Sequence, residues 1–203
     1  MRTSVWGRVP RVRTSVVILV ALGVASCSSR PDQPLAVKVE KPFVAAGSIE
    51  MQLEGGDYVV RAAPDERIRV SFGGNTGDAV AELTINGTHA NLAIRDTPHN
   101  NFRATVEVPE AADLAVHLTA GNLEIAAVTG NKEIDSQAGN VGISIPNPND
   151  YGSVDASVKV GNLNAGPFGD SGSGLSPHLR WSGPGKYGLR ANLGAGNLEL
   201  KKH

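Results

Sequence analysis

The side chains that could carry chemistry are few, and their spacing limits what they could do. "GDSGSG" (169–174) sets Ser171 in a glycine-rich segment, a setting suited to an acyl-transfer nucleophile. That chemistry needs a histidine base within hydrogen-bond reach and an acid to orient it. The nearest upstream histidine, His117 in "LAVHLTA", lies between Val116 and Leu118 and should project from the outer side of a strand. The serine therefore reads as part of a flexible loop. "NPNDYG" (147–152) alternates oxygen ligands as a calcium loop does. Tyr151 occupies a ligand position, however, and Val158 stands where a bidentate glutamate belongs, which leaves a polar turn. His89, His99, His117, His178 and His203 show no paired spacing on a common face, so no metal is expected. Glu124 and Glu133 could serve a glycosidase only in a groove that gives the two carboxylates unequal environments. No cofactor is implied.

Cys27 is the single cysteine of the 203-residue chain, and its position gives it a modification. Arg2, Arg8, Arg11 and Arg13 make a basic start, followed by the apolar "VVILVALGVA" (16–25), which is too short to span a bilayer. Residues 1–26 read as a secretory signal peptide. Its end, Val24-Ala25-Ser26 before Cys27, resembles the bacterial lipobox, where cleavage precedes a lipidated cysteine. An odd cysteine in an exported chain needs a partner or a modification, and lipidation supplies one. Two or three acyl chains would anchor firmly, at about 0.8 kcal/mol per buried CH₂. Residues 27–36 form the lipidated cysteine and a polar tether of about 25 Å, ahead of a β domain over 37–203. Ser28, in place of the Asp that retains lipoproteins at an inner membrane, implies an outer membrane where the cell has one. Four of the 19 basic residues and none of the 20 acidic ones precede Cys27, leaving a net charge of −5. That balance argues against nucleic acid. The expected partners are the membrane, through the lipid, and an envelope protein or a glycan.

Strands must position whatever the domain presents. "SIEMQLE" puts Ile49, Met51 and Leu53 on one side, and "ERIRVSF" does the same with Ile68, Val70 and Phe72. "AELTI" and "ANLAI" flank Asn86-Gly87, a pair favoured in a type I′ hairpin turn. No helical stripe is found in residues 28–203. Gly-Asn then recurs at Gly121-Asn122, Gly130-Asn131 and Gly139-Asn140 with a nine-residue step, and again at Gly161-Asn162 and Gly196-Asn197. Glycine reaches φ > 0 without penalty and asparagine tolerates it, so each pair reads as a corner closing a short strand. The spacing predicts a stack of Ile125, Ile134 and Ile143, with Lys132 where Leu123 and Val141 recur. The fold expected is a solenoid-like, coiled β-roll with Gly-Asn corners, preceded by β-hairpins. "GPFGDSGSGLSPH" (166–178) reads as a loop. Tyr151, Phe168, Trp181 and Tyr187 gather in the C-terminal third, either capping the open end of the stack or forming a recognition patch.

In these residues the chain resembles the bacterial "putative adhesin" domain family, exported proteins with Gly-Asp or Gly-Asn corners. The likeness covers most of residues 43–200. It is clearest in "VPEAADLAVHLTAGNLEIAAVTGNKEIDSQAGNVGIS" and "WSGPGKYGLRANLGAGNLEL". The family's usual corner is Gly-Asp, whereas the five corners here are Gly-Asn. The resemblance implies an all-β repetitive fold at the cell envelope without catalysis. The function expected is a lipid-anchored surface for adhesion, binding or scaffolding. A regulatory partner in envelope-stress signalling and a polysaccharide-active enzyme are the alternatives.

Overall fold

The structure, a computed structural model, describes residues 35–202. Cys27, Val24, Ala25, Ser26 and the tether up to residue 34 lie outside the described residues, as does His203. Every long element is a strand: β1 (Ala36–Pro42), β2 (Ser48–Leu53), β3 (Gly56–Ala62), β4 (Arg67–Gly74), β5 (Val80–Asn86), β6 (His89–Arg95), β7 (Phe102–Val108), β8 (Asp113–Ala126), β9 (Lys132–Ile145), β10 (Tyr151–Ala165), β11 (Asp170–Leu175), β12 (His178–Ser182) and β13 (Tyr187–Lys202). Short 3₁₀ turns at Pro148–Asp150 and Gly166–Phe168 interrupt them.

The strands hydrogen-bond into one open network in which six tiers run parallel. In spatial order the tiers are β6 with β7, β2 with β3, β8, β9, β13 and β10. Each tier has two arms. On β8, Asp113–Leu118 pairs with β2 and Gly121–Ala126 pairs with β3. Antiparallel strands close both ends. β5 covers β6 and β4 covers β7, with β1 outside β4, while β12 and β11 lie side by side on β10.

The arms meet at a corner where alternation slips by one residue. Leu114, Val116 and Leu118 are buried on the first arm, and Leu123 and Ile125 on the second. Thr119, Ala120 and Asn122 between them face out. The slip keeps apolar side chains inside although the chain changes direction, so both arms bury against one continuous core. Asp32–His203 is a compact unit carrying that core.

The sequence period proves to be half of the structural one. β9 returns under β8 after 18 residues, so Ile125 sits beside Ile143 and Val116 beside Ile134. Ile134 therefore does not stack on Ile125 or Ile143. It lies on the first arm and they lie on the second. A nine-residue step alternates between the two corners of one turn, and sequence spacing alone does not tell a neighbour around the turn from a neighbour along the stack. Nor does the chain advance one place per turn throughout. β13 inserts between β9 and β10, parallel to both.

Two local expectations also change. Asn86 pairs with His89, so Gly87 and Thr88 are the central residues of the hairpin turn, and among the two only Gly87 has positive φ, at 62°. That is the II′ pattern, which needs glycine at the first central position, rather than I′. Residues 170–175 form an edge strand on β10 instead of a loop, because backbone pairing from Val160–Leu175 to Ala165–Asp170 asks nothing of their side chains.

Candidate functional site

The first arm turns a broad polar face to solvent. Because its strands are in register, outward residues line up across the stack. One row runs Gln52, His117, Asp135, Asn192, Ser157 and His178, contributed in turn by β2, β8, β9, β13, β10 and β12. The next row runs Glu50, Ala115, Glu133, Arg190, Asp155 and Arg180. Side chains along the first row bind one another. Ser157 Oγ donates to Asn192 Oδ1 at 2.9 Å, Asn192 Nδ2 donates to Asp135 Oδ1 at 2.9 Å, and His117 Nδ1 lies 3.7 Å from the other Asp135 oxygen. In the second row Arg190 approaches Glu133 at 3.8 Å and Arg180 approaches Asp155 at 3.5 Å.

Two contiguous grooves cross this face. One, of about 900 Å³, is lined by Glu50, Glu54, Arg95, His117, Asp135 and Lys159 among others. The other, of about 910 Å³, runs over Ser48, Asp113, Glu133, Asp155 and Arg190. Lys132, which lines the second groove, is buried, whereas the His117 and Asp135 side chains are 50% and 43% exposed. Such a surface can exchange hydrogen bonds with a polar ligand along its rows, each row stepping about 4.8 Å per strand.

At the corner, four of the predicted pairs and one missed pair form a single column. Asn162 Nδ2 donates to Asn197 Oδ1, Asn197 to Asn140, Asn140 to Asn122, and Asn122 to the carboxylate of Asp57, at 2.6–2.8 Å. Gly121, Gly139, Gly161 and Gly196 sit one residue earlier, at φ between 123° and 142°. A Cβ on any of them would strike the carbonyl oxygen of the next glycine in the column. Asp57 was legible as the Gly-Asp corner of "GGDY" and ends the amide ladder on a charge. Gly130-Asn131 belongs elsewhere. It closes the opposite end of the turn, where Asn131 N and Nδ2 both donate to Asp113 Oδ1 and Gly188 N donates to Asn131 Oδ1. The column shapes the wall, since Asn122, Asn140 and Asn197 each spend a donor and an acceptor on their neighbours, while Asn162 at the end donates.

The other candidates separate. Ser171 is on β11, four strand steps from His117 on β8, or about 19 Å, and the two belong to different arms. Glu124 lies on the second arm, 2.8 Å from Lys201, whereas Glu133 is on the first, so they form no pair. In "NPNDYG", Asn147 Oδ1 caps Asn149 N, Asn147 Nδ2 donates to Asp150, and Tyr151 is buried. His89 bonds Ser48 and His178 sits on β12. Among the described residues no three His, Cys, Asp or Glu side chains gather as metal ligands would. Tyr151, Phe168, Trp181 and Tyr187 pack ring against ring beside the core, at 4.9–6.4 Å between centroids.

Lys132 is the buried exception. It aligns with Leu114 and Leu189 inside the first arm, where Nζ donates to Gly130 O at 2.9 Å and to the Tyr151 hydroxyl at 3.1 Å. Burial pushes its ammonium down to about 8, with Asp113 pulling the other way. The same burial pushes the Tyr151 phenol up to about 12.

No family model matches the chain, and no curated protein sequence matches it. Among solved structures it is similar to a "putative cell adhesion protein" from Clostridium sporogenes, with a TM-score of 0.48 and 13% identity over 81% of this chain and 98% of that one. It is also similar to a "putative adhesin" from Bacteroides fragilis, with a TM-score of 0.26 and 8% identity over 84% of this chain and 99% of that one.

Proposed function

We propose that this is a non-catalytic, lipid-anchored protein of the bacterial envelope whose work is adhesion, binding or scaffolding through the outer face of the first arm. Residues 1–26 direct export, Cys27 carries the acyl chains, residues 28–36 space the domain, and a coiled wall of parallel tiers holds the face rigid. One observation carries this function: in-register strands line half-exposed polar side chains into rows across two adjoining grooves. The serine and histidine that could have supported hydrolysis stand strands apart.

Sedimenting residues 28–203 with purified envelopes of the producing bacterium tests the reading. The chain should pellet with them. Gln52→Ala combined with Asp135→Ala and Asn192→Ala should abolish pelleting, while Arg61→Ala on the second arm should leave it intact. Equal pelleting of both variants would remove the face from the account. Protease treatment of the envelopes beforehand separates a protein partner from a glycan.

A further inference from the structure

The corner between the arms is poor in charge. Of residues 119–122, 137–140, 159–162 and 194–197, which form it on β8, β9, β10 and β13, only Lys159 is charged, although residues 28–203 carry a net charge of −5. The carboxylates stand on the outer faces instead, with Glu50, Glu133, Asp135 and Asp155 on the first arm and Glu124 and Glu199 on the second. Apolar side chains take their place at the corner. Ala120, Ala138, Ala195 and Val160 stand in register one residue before the corner glycines, and Leu175 on β11 lies across from Val160. Val160 is 54% exposed and Leu175 83%, and Ala120 and Ala195 are exposed beside them. The chain also enters the domain at this level. Leu35, the first described residue, is half-buried against Gly73. Gly73 pairs with Arg103, Arg103 with Asp57 and Asp57 with Asn122, so β1 starts in the row of the amide column and runs away from it. Residues 28–34 span at most about 25 Å between that point and Cys27.

We infer that the corner rests on the lipid surface, with Val160 and Leu175 reaching into the headgroup region and the charged faces of both arms held off it. The inference rests on the lipid anchoring proposed above. A domain tethered this closely to a bilayer must turn some side toward it, and an anionic lipid surface repels carboxylates and attracts a lysine. The corner is the side that offers a lysine and apolar groups instead of carboxylates. At the tethered end its column does finish on Asp57, which lies across from Arg103. One valine and one leucine would not hold a free protein at a membrane. A tethered one needs far less, because the tether keeps the corner at a high effective concentration beside the lipid.

Residues 28–203 contain no cysteine, so a single introduced cysteine can carry an environment-sensitive nitrobenzoxadiazole dye. An N-terminal hexahistidine tag would hold the chain on vesicles of phosphatidylcholine and phosphatidylglycerol containing a nickel-chelating lipid. Dye at Ala195→Cys or Ala120→Cys should brighten and shift to the blue on these vesicles. Dye at Glu133→Cys on the first arm, or at Glu199→Cys on the second, should stay as in water. Val160→Glu combined with Leu175→Glu should abolish the response at Ala195→Cys, with circular dichroism unchanged because both side chains are exposed. Dye that stays as in water at every site, an equal response at all of them, a response confined to Glu133→Cys, or one that survives the paired glutamates would each overturn the inference. The tag stands in for the acyl chains, so failure here leaves the anchoring reading standing, and absence of acyl chains on Cys27 fails that reading alone.

Discussion

Replacing Gly139 by alanine should be among the most damaging one-carbon changes this chain can suffer. The new Cβ would lie 1.7 Å from Gly121 O, 2.7 Å from its carbonyl carbon and 2.9 Å from its nitrogen. Those are backbone atoms of the neighbouring tier, so no side chain can swing away. Relief requires β8 and β9 to part at the corner, at the expense of ladder bonds. Overpacking of this kind costs about 1–3 kcal/mol, and an L-residue held at φ near 129° adds about 1–3 kcal/mol. The sum is about 2–6 kcal/mol. Gly169→Ala separates the two contributions, since Gly169 has φ 79° and open space where its Cβ would go, with no atom within 4 Å. It should lose only about 1–2 kcal/mol. Urea unfolding of both variants, compared at equal slope, measures the difference. A Gly139→Ala loss within about 1 kcal/mol of the Gly169→Ala loss would show that the corner column is not close-packed backbone, and the reasoning would fail.

Asn140→Ala should cost about 1–2 kcal/mol, because it breaks the ladder bonds to Asn122 and from Asn197; a melting curve that does not move would make the ladder incidental. Lys132 predicts a pH dependence. Its folded value near 8 lies below the ordinary 10.5, so the unfolded chain binds more protons between those values and stability should rise by about 3 kcal/mol as pH climbs from 8 to 10.5. Below pH 8 this contribution is constant, and Lys132→Met should remove the rise, as urea midpoints across that window would report. Ile134→Asp should unfold the domain, since Ile134 is fully buried and a lone carboxylate there has no partner. Retained cooperative melting would sink that claim.

Much of the wall could be read from residue types. Alternation marked β2, β4 and the β5–β6 hairpin because each buries one face and wets the other, and the burial of Ile49, Met51, Leu53, Ile68, Val70 and Phe72 follows it. Gly-Asn marked corners at Gly121, Gly139, Gly161 and Gly196 because the backbone there adopts φ that other residues resist; at Gly130 the demand is space, since a Cβ would strike Ala112 O. What the chain could not reveal is which corners share a column. Gly130-Asn131 has the same letters as Gly121-Asn122 yet sits at the other end of the turn, and only the 18-residue register distinguishes them. The insertion of β13 between β9 and β10 is likewise invisible locally, since parallel neighbours so far apart in sequence leave no short-range mark. The polar face was missed for a related reason. His117, Asp135, Asn192 and Ser157 are scattered along the chain, each an ordinary outward residue, and register alone makes them a row. Asp57 could have been found by asking which other Gly-Asx pair precedes an inward apolar residue, as Gly56-Asp57 precedes Tyr58.

In the proposed function, Cys27 is what holds the face at a membrane surface. Growth with an alkyne analogue of palmitate, followed by fractionation of cells expressing the full chain or its Cys27→Ala variant, tests that dependence most directly. The account predicts a labelled protein in the membrane fraction for the full chain and an unlabelled one outside it for Cys27→Ala. An unlabelled, soluble full chain, or a Cys27→Ala variant that stays with the membrane, would contradict it.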